Sequence, residues 1–293
     1  MCPYCQSTQY KKKGFYSKQS SRAQRVQRYK CHSCKRSYSA QTGRLTYCDK
    51  KPHLNQIIFR MVCSGISFRR IALNLGVARV TVDRKICKLA RFARAQNKDF
   101  IDKKFQANPI FDEMETFEHS KCKPLSIAIA VDDNTREILG IQVSTMPAKG
   151  KLAAIARKKY GYRPDLRGHG LRRLMETIRT VDPYPPVIKS DLAPRYPKYV
   201  RDYFPDTLHK TTKGRRGCVV GQGELKAGGF DPIFTLNHTC AMVRDNIKRM
   251  SRRTWCTTKS PSVLQDLMDL YMVFHNQLIR GIRLISVCSD PIM

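Results

Sequence analysis

The stretch NPIFDEMETFE, residues 108–118, decides how the second half of the chain folds. Its aromatic and apolar residues are typical of a buried strand, which has no structural need for the carboxylates of Asp112 and Glu113. The next segment, residues 124–145, predicts two more strands joined by a polar turn at 132–134. Asp112 is therefore expected on the first strand of a three-strand meander.

A second apolar segment also ends on an aspartate. Residues 186–191, PVIKSD, predict a short strand that ends at Asp191 and leads into a helix. Either aspartate alone is explained as well by a cap of the turn or helix that follows it. Because both strands carry an aspartate near their ends, we expect Asp112 and Asp191 to share a metal site.

The positive charge of the chain far exceeds what solubility requires. Lysine and arginine number 55 against 23 aspartates and glutamates, giving a formal net charge of +32, and residues 1–107 alone hold 25 basic and 4 acidic side chains. This excess predicts a polyanionic partner, and double-stranded DNA fits best. Membrane-surface binding is disfavoured because the charge is not confined to one amphipathic helix. No run of 18 apolar residues and no secretory leader is evident, so we expect no membrane association and reduced cysteines.

Two CxxC motifs at the start of the chain predict a metal site. Cys2 and Cys5 form the first pair, and Cys31 and Cys34 form the second. Two such turns can place four thiolates at the corners of a tetrahedron, which is the arrangement of a structural zinc site. Residues 1–45 are accordingly predicted to form a zinc ribbon with short strands and a core supplied mostly by Zn²⁺. Reduced cysteines packed as small apolar residues are the alternative.

Residues 46–96 have the pattern of a helix-turn-helix DNA-binding domain. Apolar residues recur at helical spacing, breaks occur at Gly65 and Gly76, and Ser67 is a suitable helix cap. In the third helix Val80 and the apolar residues after it are predicted to face inward. A plain three-helix bundle with a solvated basic face is the alternative. The residues predicted to contact bases or phosphates are Arg79, Thr81, Arg84, Lys85, Lys88 and Arg91.

The remaining chain is predicted to form a linker, residues 97–107, and a second domain, residues 108–293. A basic insert around 147–170 either grips a nucleic-acid backbone or is a solvated surface loop. A late helix over 234–255 presents Asn237 and Arg244, seven residues apart, on one side. Three further basic residues of this helix are predicted to contact DNA: Lys248, Arg249 and Arg252.

The order of these motifs resembles that of insertion-sequence transposases of the DDE type. The paired CxxC motifs, the helix-turn-helix, DEMETF around Asp112, IKSD at Asp191 and the NHTCAMVRDNIKRMSRRT helix carry the resemblance over essentially the whole chain. Their order is similar to the ribonuclease-H-like layout of polynucleotidyl transferases. The resemblance therefore implies a multidomain α+β protein with an N-terminal zinc ribbon, a helix-turn-helix module and a C-terminal ribonuclease-H-like domain with a mixed sheet.

The resemblance also implies a catalytic set. Asp112 and Asp191 would be the first two acids, which bind the catalytic Mg²⁺ ions, and Mn²⁺ can substitute. The third acid of such enzymes is usually a glutamate seven residues before a basic residue. Here Arg244 is preceded at that distance by Asn237, whose carbonyl oxygen can still bind Mg²⁺.

Other assignments of the third position stay open. Asn237 can instead cap its helix, and the third acid can be Glu224, our second choice, or Asp231. Glu113 and Glu115 alternate with Asp112 along the strand, so they are expected on its other face.

The expected function is a DNA transposase that binds the terminal inverted repeats of its element, cleaves DNA and joins the 3′-OH to target DNA. The expected partners are element-end and target DNA, with at least a homodimer on paired ends. The resemblance places the protein in the prokaryotic cytoplasm, associated with the nucleoid. The alternatives are a catalytically inactive DNA-binding regulator, which includes a decayed transposase copy, and a nuclease that cuts without joining.

Overall fold

The computed structural model describes residues 1–18, 21–103, 106–213, 231–251 and 257–281. The chain divides into two compact units, Met1–Ile57 and Ile58–Leu284, which we describe separately. The fold is mixed α/β. Over the described ranges it has a three-stranded antiparallel sheet, a five-stranded mixed sheet and eight α-helices. None of the described helices combines the length and the apolar character that crossing a bilayer requires.

The first unit is built on a small antiparallel sheet. Its strands are β1 (Tyr10–Lys18), β2 (Ser21–Cys31) and β3 (Ser37–Ser39), with β2 in the centre. The ring of Tyr29 stacks on Tyr38 at 5.3 Å between centroids and meets Tyr10 edge-on at 5.2 Å. Tyr29 and Tyr38 are half-buried and Tyr10 is exposed, so these rings cover one side of the sheet. The buried side chains of this unit include Val26, Leu45 and two of the cysteines described below.

Three helices follow the small sheet along the chain: α1 (Leu54–Val62), α2 (Phe68–Asn74) and α3 (Arg79–Lys103). Ser67 caps α2 as predicted, since its Oγ accepts a hydrogen bond from the backbone N–H of Arg70. Helix α3 has 25 residues and continues through residues 97–103, where the sequence predicts a linker. It continues because Ile101 is buried and Asn97 donates a hydrogen bond to the carbonyl of Asp269.

The five-stranded sheet contains the predicted meander. Strands β4 (Pro109–Phe117), β5 (Pro124–Asp132) and β6 (Ile138–Thr145) pair antiparallel. Strands β7 (Val187–Asp191) and β8 (Leu208–Thr212) continue the sheet on the other side of β4 and run parallel to it. The strand order is β6-β5-β4-β7-β8, so the strand that carries Asp112 is central.

Five further helices surround this sheet. They are α4 (Leu152–Tyr160), α5 (Arg167–Val181), α6 (Tyr196–Tyr203), α7 (Phe234–Asn246) and α8 (Pro261–Ile279). Helix α8 covers the edge of β6 with two side-chain amides. Asn276 bonds both backbone groups of Ile138, and Gln265 bonds the N–H of Val143 and the carbonyl of Ile141. The edge strand therefore has hydrogen-bond partners without a further strand.

Helices α2 and α3, and α1 from Ile58 onward, belong to the same compact unit as the sheet. Phe59 of α1 meets Phe274 of α8 edge-on, with 5.9 Å between ring centroids. Arg94 of α3 forms ion pairs with Asp266 and Asp269 of α8. The backbone N–H of Gly65 donates to the carbonyl of Asn246 at 2.7 Å. The turn after α1 is thus tied directly to the end of α7.

The late helix is shorter than its sequence pattern predicts. Helix α7 ends at Asn246, Ile247 takes an extended backbone conformation, and a 3-10 turn follows at Lys248–Met250. Ile247 and Met250 are nevertheless buried, so the predicted apolar positions do face the interior. Residues 252–255 of the predicted helix lie outside the described residues.

The basic insert around 147–170 contains a helix and several ion pairs. Its first part includes α4, and Lys149 and Arg163 pair with Glu115 and Glu118 at the end of β4. Arg167 pairs with its neighbour Asp165. Three of the seven lysines and arginines of this segment are therefore paired with nearby carboxylates.

Candidate functional site

The four cysteines of the two CxxC motifs meet in one cluster. The sulfurs of Cys2, Cys5, Cys31 and Cys34 all lie within 4.8 Å of one another, and no other group of three or more His, Cys, Asp or Glu residues does so among the described residues. Cys2 Sγ is 3.7 Å from Cys34 Sγ, and Cys5 Sγ is 3.6 Å from Cys31 Sγ. A tetrahedral zinc site with Zn–S bonds of about 2.3 Å has sulfur–sulfur edges of about 3.8 Å. The cluster thus has the dimensions to bind a metal ion such as zinc.

The chemistry of the cluster also fits a metal cation. The backbone N–H of Cys34 stabilises the thiolate of Cys31 and lowers the pKa of Cys31 to about 6. Cys2 and Cys31 are almost completely buried. Buried thiolates require a compensating cation, and the thiolate is the form that binds metal.

Asp112 and Asp191 lie side by side in the second unit. Strands β4 and β7 are parallel neighbours, and Phe111 pairs with Ser190. Asp112 and Asp191 are the next residue along each strand, so the register brings two carboxylates together at one end of the sheet. Nothing in either local sequence dictates this pairing; the crossover that brings β7 next to β4 does.

Each carboxylate has one oxygen engaged by the protein. Asp112 Oδ1 accepts hydrogen bonds from the N–H of Glu113 at 2.6 Å and from the hydroxyl of Tyr196 at 3.0 Å. Asp191 Oδ1 accepts from the N–H of Ala193 at 2.9 Å. Within the described part of the chain, neither Oδ2 atom has a protein donor. Each side chain is thus fixed by one oxygen and presents the other to a ligand.

The electrostatics of this pair favour a bound cation. The pKa of Asp112 is raised from 3.8 to about 6. Burial is the main cause of this increase, and the negative charge of Asp191 contributes to it. Two partly buried carboxylates that repel each other are stabilised when a divalent cation binds both. Carboxylate oxygens are the ligands that Mg²⁺ and Mn²⁺ prefer, so Asp112 and Asp191 are the residues that could hold such an ion.

Tyr196 and Arg195, which support Asp112 and its neighbour Glu113, are not evident from the sequence. The ring of Tyr196 is buried and packs on Phe111 at 4.8 Å between centroids, which positions its hydroxyl for the bond to Asp112. Arg195 forms an ion pair with Glu113, and the Ser126 hydroxyl donates to Glu113 at 2.5 Å. Arg195 and Tyr196 follow Asp191 closely in the chain, but their partners are more than 80 residues away, so no local pattern marks them.

Helix α7 packs on the strand that carries Asp112. Cys240 of α7 is buried, and this burial, together with the charge of Asp112, raises the pKa of the Cys240 thiol to about 12, whereas Arg244 opposes the shift. Cys240 is therefore within electrostatic reach of Asp112 and Arg244. Asn237 precedes it by three residues and Arg244 follows it by four, so all three lie on one side of the helix.

The side chain of Asn237 is exposed and bonds to a residue of the turn that precedes the same helix. Asn237 Nδ2 donates to Asp231 Oδ2 at 2.8 Å, and Asp231 Oδ1 accepts from the N–H of Ile233. Asp231 is thus engaged in the turn before α7. Glu224, the second choice for the third acid, lies outside the described residues.

The predicted DNA-binding residues of α3 differ in exposure. Arg79, Arg84 and Arg91 are exposed, and Thr81 and Lys88 are half-buried. Lys85, in contrast, is buried at 6% exposure, while Val80 is 54% exposed. The inward row of α3 contains Val82, Ile86 and Leu89, and position 85 lies on that row whereas position 80 does not. Lys85 is therefore largely covered by the protein, and its contact with DNA stays a prediction.

The predicted DNA contacts after α7 are only partly described. Lys248 and Arg249 are half-buried in the 3-10 turn, and Arg252 lies outside the described residues. The guanidinium of Arg249 lies over the ring of Phe68 at 4.8 Å and donates to the carbonyl of Thr257 at 2.7 Å.

Comparisons with known proteins give no relative. No model of a known protein family matches the chain, and no curated protein is similar enough to match it. The functional argument therefore depends on the geometry of the sites.

Proposed function

We propose that the protein is a DNA transposase of the DDE type with a ribonuclease-H-like catalytic domain. The single observation that carries this proposal is the position of Asp112 and Asp191, adjacent on parallel strands β4 and β7 at the centre of the mixed sheet. Either aspartate alone is an ordinary strand-end residue. Two carboxylates that repel each other, each with one oxygen held by the protein, are difficult to explain without a cation.

The sheet topology supports the ribonuclease-H-like assignment. An antiparallel meander of three strands is followed by two parallel strands that add beside the first strand of the meander, giving the order β6-β5-β4-β7-β8. Helices follow the sheet strands, and a late helix, α7, packs near the first aspartate. This is the layout that the sequence motifs resemble.

The proposed reaction has two steps in one site. In the first, water attacks a phosphodiester at the end of the element, the new P–O bond forms, and the 3′-oxygen leaves as a free 3′-OH. In the second, that 3′-OH attacks a phosphodiester of the target, and the 3′-oxygen of the target leaves. Mg²⁺ held by Asp112 and Asp191 would supply stabilisation of the negative charge that develops on the entering and leaving oxygens.

The residues of the chain have distinct roles in this proposal. Asp112 and Asp191 would hold the cations, and Tyr196 and the Glu113 backbone keep Asp112 oriented. Asn237 would contribute its carbonyl oxygen as a third ligand, and its amide nitrogen donates to Asp231. Arg244, on the same side of α7, binds a phosphate with its planar guanidinium.

DNA recognition is assigned to two modules in this proposal. The four-cysteine unit is a zinc ribbon, and helices α1 to α3 are a helix-turn-helix whose exposed Arg79, Arg84 and Arg91 contact the terminal inverted repeats. The net charge of +32 supports a polyanionic partner. The protein acts as a homodimer or larger assembly on paired ends, in the cytoplasm of a prokaryote.

A strand-transfer assay tests the proposal. The purified protein is incubated with labelled element-end DNA, a plasmid target and Mg²⁺ or Mn²⁺, beside Asp112→Ala and a matched control, Asp206→Ala, which removes an exposed aspartate after α6. We expect joined products from the wild type and the control and none from Asp112→Ala, with end binding intact in all three. Joined products from Asp112→Ala would contradict the proposal.

A DNA-binding regulator without catalysis is the second candidate. The observation that favours it is the exposed, neutral side chain of Asn237 at the place where such enzymes usually carry a glutamate. A regulator binds its DNA equally well with and without Mg²⁺ and never nicks it. If that is the result, Asn237→Glu becomes the next test, because restored cleavage would identify a decayed enzyme.

A further inference from the structure

A cavity of about 320 Å³ lies in the second unit, away from the two aspartates. Residues from the α1–α2 region, from the start of α3 and from the turn after α7 line it. Its floor is apolar and includes Phe68 and Ile247, both buried. Among the described residues, the polar lining consists of Ser67 and five basic residues, with no acidic one: Arg69, Arg79, Lys248, Arg249 and Lys259.

The charge of this cavity is only partly compensated. Arg79 pairs with Asp83 at 3.6 Å, and Lys259 approaches His119 Nδ1 at 3.4 Å. Arg249 is held over Phe68 and bonded to the carbonyl of Thr257. Arg69 and Lys248 have no acidic partner among the described residues. Five basic groups around one cavity repel each other, so an anion that binds there lowers the energy of the site.

The dimensions and the two kinds of lining identify the anion. A bare phosphate needs only the cationic part, whereas the cavity also offers an apolar floor. A sugar–phosphate unit matches both features, because its phosphate binds cations and its deoxyribose carbons pack on apolar side chains. Phosphate contacts of this kind position a protein on DNA without reading sequence.

We propose that this cavity binds the backbone of one strand of duplex DNA, with a phosphate on Arg69 and Lys248 and the attached deoxyribose over Phe68 and Ile247. The inference rests on the proposed function and adds a specific site to it. Arg69 belongs to α2, and Lys248 follows α7, the helix that carries Asn237 and Arg244. The Gly65–Asn246 hydrogen bond fixes these two regions to each other. A phosphate in the cavity therefore sets the distance between the DNA held by α3 and the two aspartates.

The first test measures the salt dependence of duplex binding between about 50 and 200 mM salt. The variant Arg69→Gln/Lys248→Gln is compared with the control Arg179→Gln/Lys198→Gln, which removes the same charges from exposed positions on α5 and α6. We expect the pocket variant to lower the slope of log K against log salt by about 1 relative to the control. Equal slopes for the two variants would overturn the inference.

A second measurement locates the phosphate. Neutral methylphosphonates replace the phosphates of the duplex one at a time. One position should weaken binding of the wild type and of the charge-keeping variant Arg69→Lys/Lys248→Arg, but not of the glutamine variant. If every position weakens the wild type and the glutamine variant equally, no specific phosphate occupies the cavity and the inference is wrong.

The outcomes separate this inference from the proposed function. If the wild type joins DNA but the pocket variant has the same slope of log K against log salt as the control, the inference is contradicted and the proposed function is not. A wild type that binds duplex through the cavity but never cuts it supports the inference and contradicts the transposase. Tighter binding of single-stranded RNA than of duplex through the same residues would overturn the choice of DNA.

Discussion

The four-cysteine cluster and the Asp112–Asp191 pair are both candidate metal sites, but the chain builds them in opposite ways. The cysteines come from two short motifs, and the metal they can bind would add to the few buried side chains of the first unit. The aspartates come from two strands of a well-packed sheet, and their mutual repulsion opposes the fold that holds them. The first site stabilises its surroundings, whereas the second depends on them.

The largest effect expected from this contrast is in the cysteine cluster. Cys31→Ser removes a buried ligand, and metal binding to structural zinc sites is worth on the order of 10 kcal/mol. We expect the variant to lose bound zinc and the sheet β1-β2-β3, while residues 58–284 keep their fold. Metal analysis and amide hydrogen exchange measure the two results. Cys122→Ser, outside the cluster, is the control; equal zinc content in both variants would contradict the assignment.

The second effect concerns the ion pair beside Asp112. Glu113 is only 4% exposed at its side chain and pairs with Arg195. Arg195→Ala leaves that carboxylate buried without its partner, which costs about 3 kcal/mol of unfolding free energy. Chemical denaturation measures the loss. Arg201→Ala, an exposed arginine of α6, is the control and should cost less than about 0.5 kcal/mol; a similar loss in both would remove the supporting role of Arg195.

The third effect has the opposite sign. The folded-state pKa of Asp112 is about 6 against an ordinary value of 3.8, so the metal-free protein loses stability as the pH rises from about 4 to 6. Asp112→Asn removes this penalty. We expect the metal-free variant to be about 2 kcal/mol more stable than the wild type at pH 7.5 and no more stable at pH 3.5. A destabilised variant at pH 7.5 would show that the ionised carboxylate of Asp112 does not lower the stability of the metal-free protein.

The smallest effect tests the hydroxyl that orients Asp112. Tyr196→Phe keeps the ring that packs on Phe111 and removes only the hydrogen bond of 3.0 Å. We expect a loss of about 1 kcal/mol in unfolding free energy. In the background of Asp112→Ala the same substitution should cost less, because the acceptor is gone. An unchanged cost in that background would mean that the hydroxyl stabilises something other than Asp112.

The contrast also explains what the sequence could predict. The cysteine cluster follows from spacing alone, and the strands that carry Asp112 and Asp191 follow from apolar runs interrupted by a carboxylate. The ends of elements were less predictable, because contacts made elsewhere in the chain determine them. Helix α3 extends to Lys103 through contacts with α8, and α7 stops at Asn246, where Gly65 binds its last carbonyl.

Residue roles that depend on distant partners were not predictable either. Tyr196 and Arg195 support β4 only because α6 folds back over Phe111 and Glu113. Lys85 was expected to contact DNA, since lysine is usually exposed on a helix, yet its position on the inward row of α3 buries it. A sequence pattern locates the inward side of a helix only to within one residue, which is too coarse to decide whether a lysine such as Lys85 is buried.

The most direct test of the account is strand transfer by three proteins in parallel: the wild type, Asp112→Ala and Asn237→Ala. The account predicts joined products from the wild type in Mg²⁺ or Mn²⁺ and none from either variant, while all three bind element-end DNA with similar affinity. Tight end binding by the wild type without cleavage in either metal would contradict it and would leave the Asp112–Asp191 pair without a catalytic role.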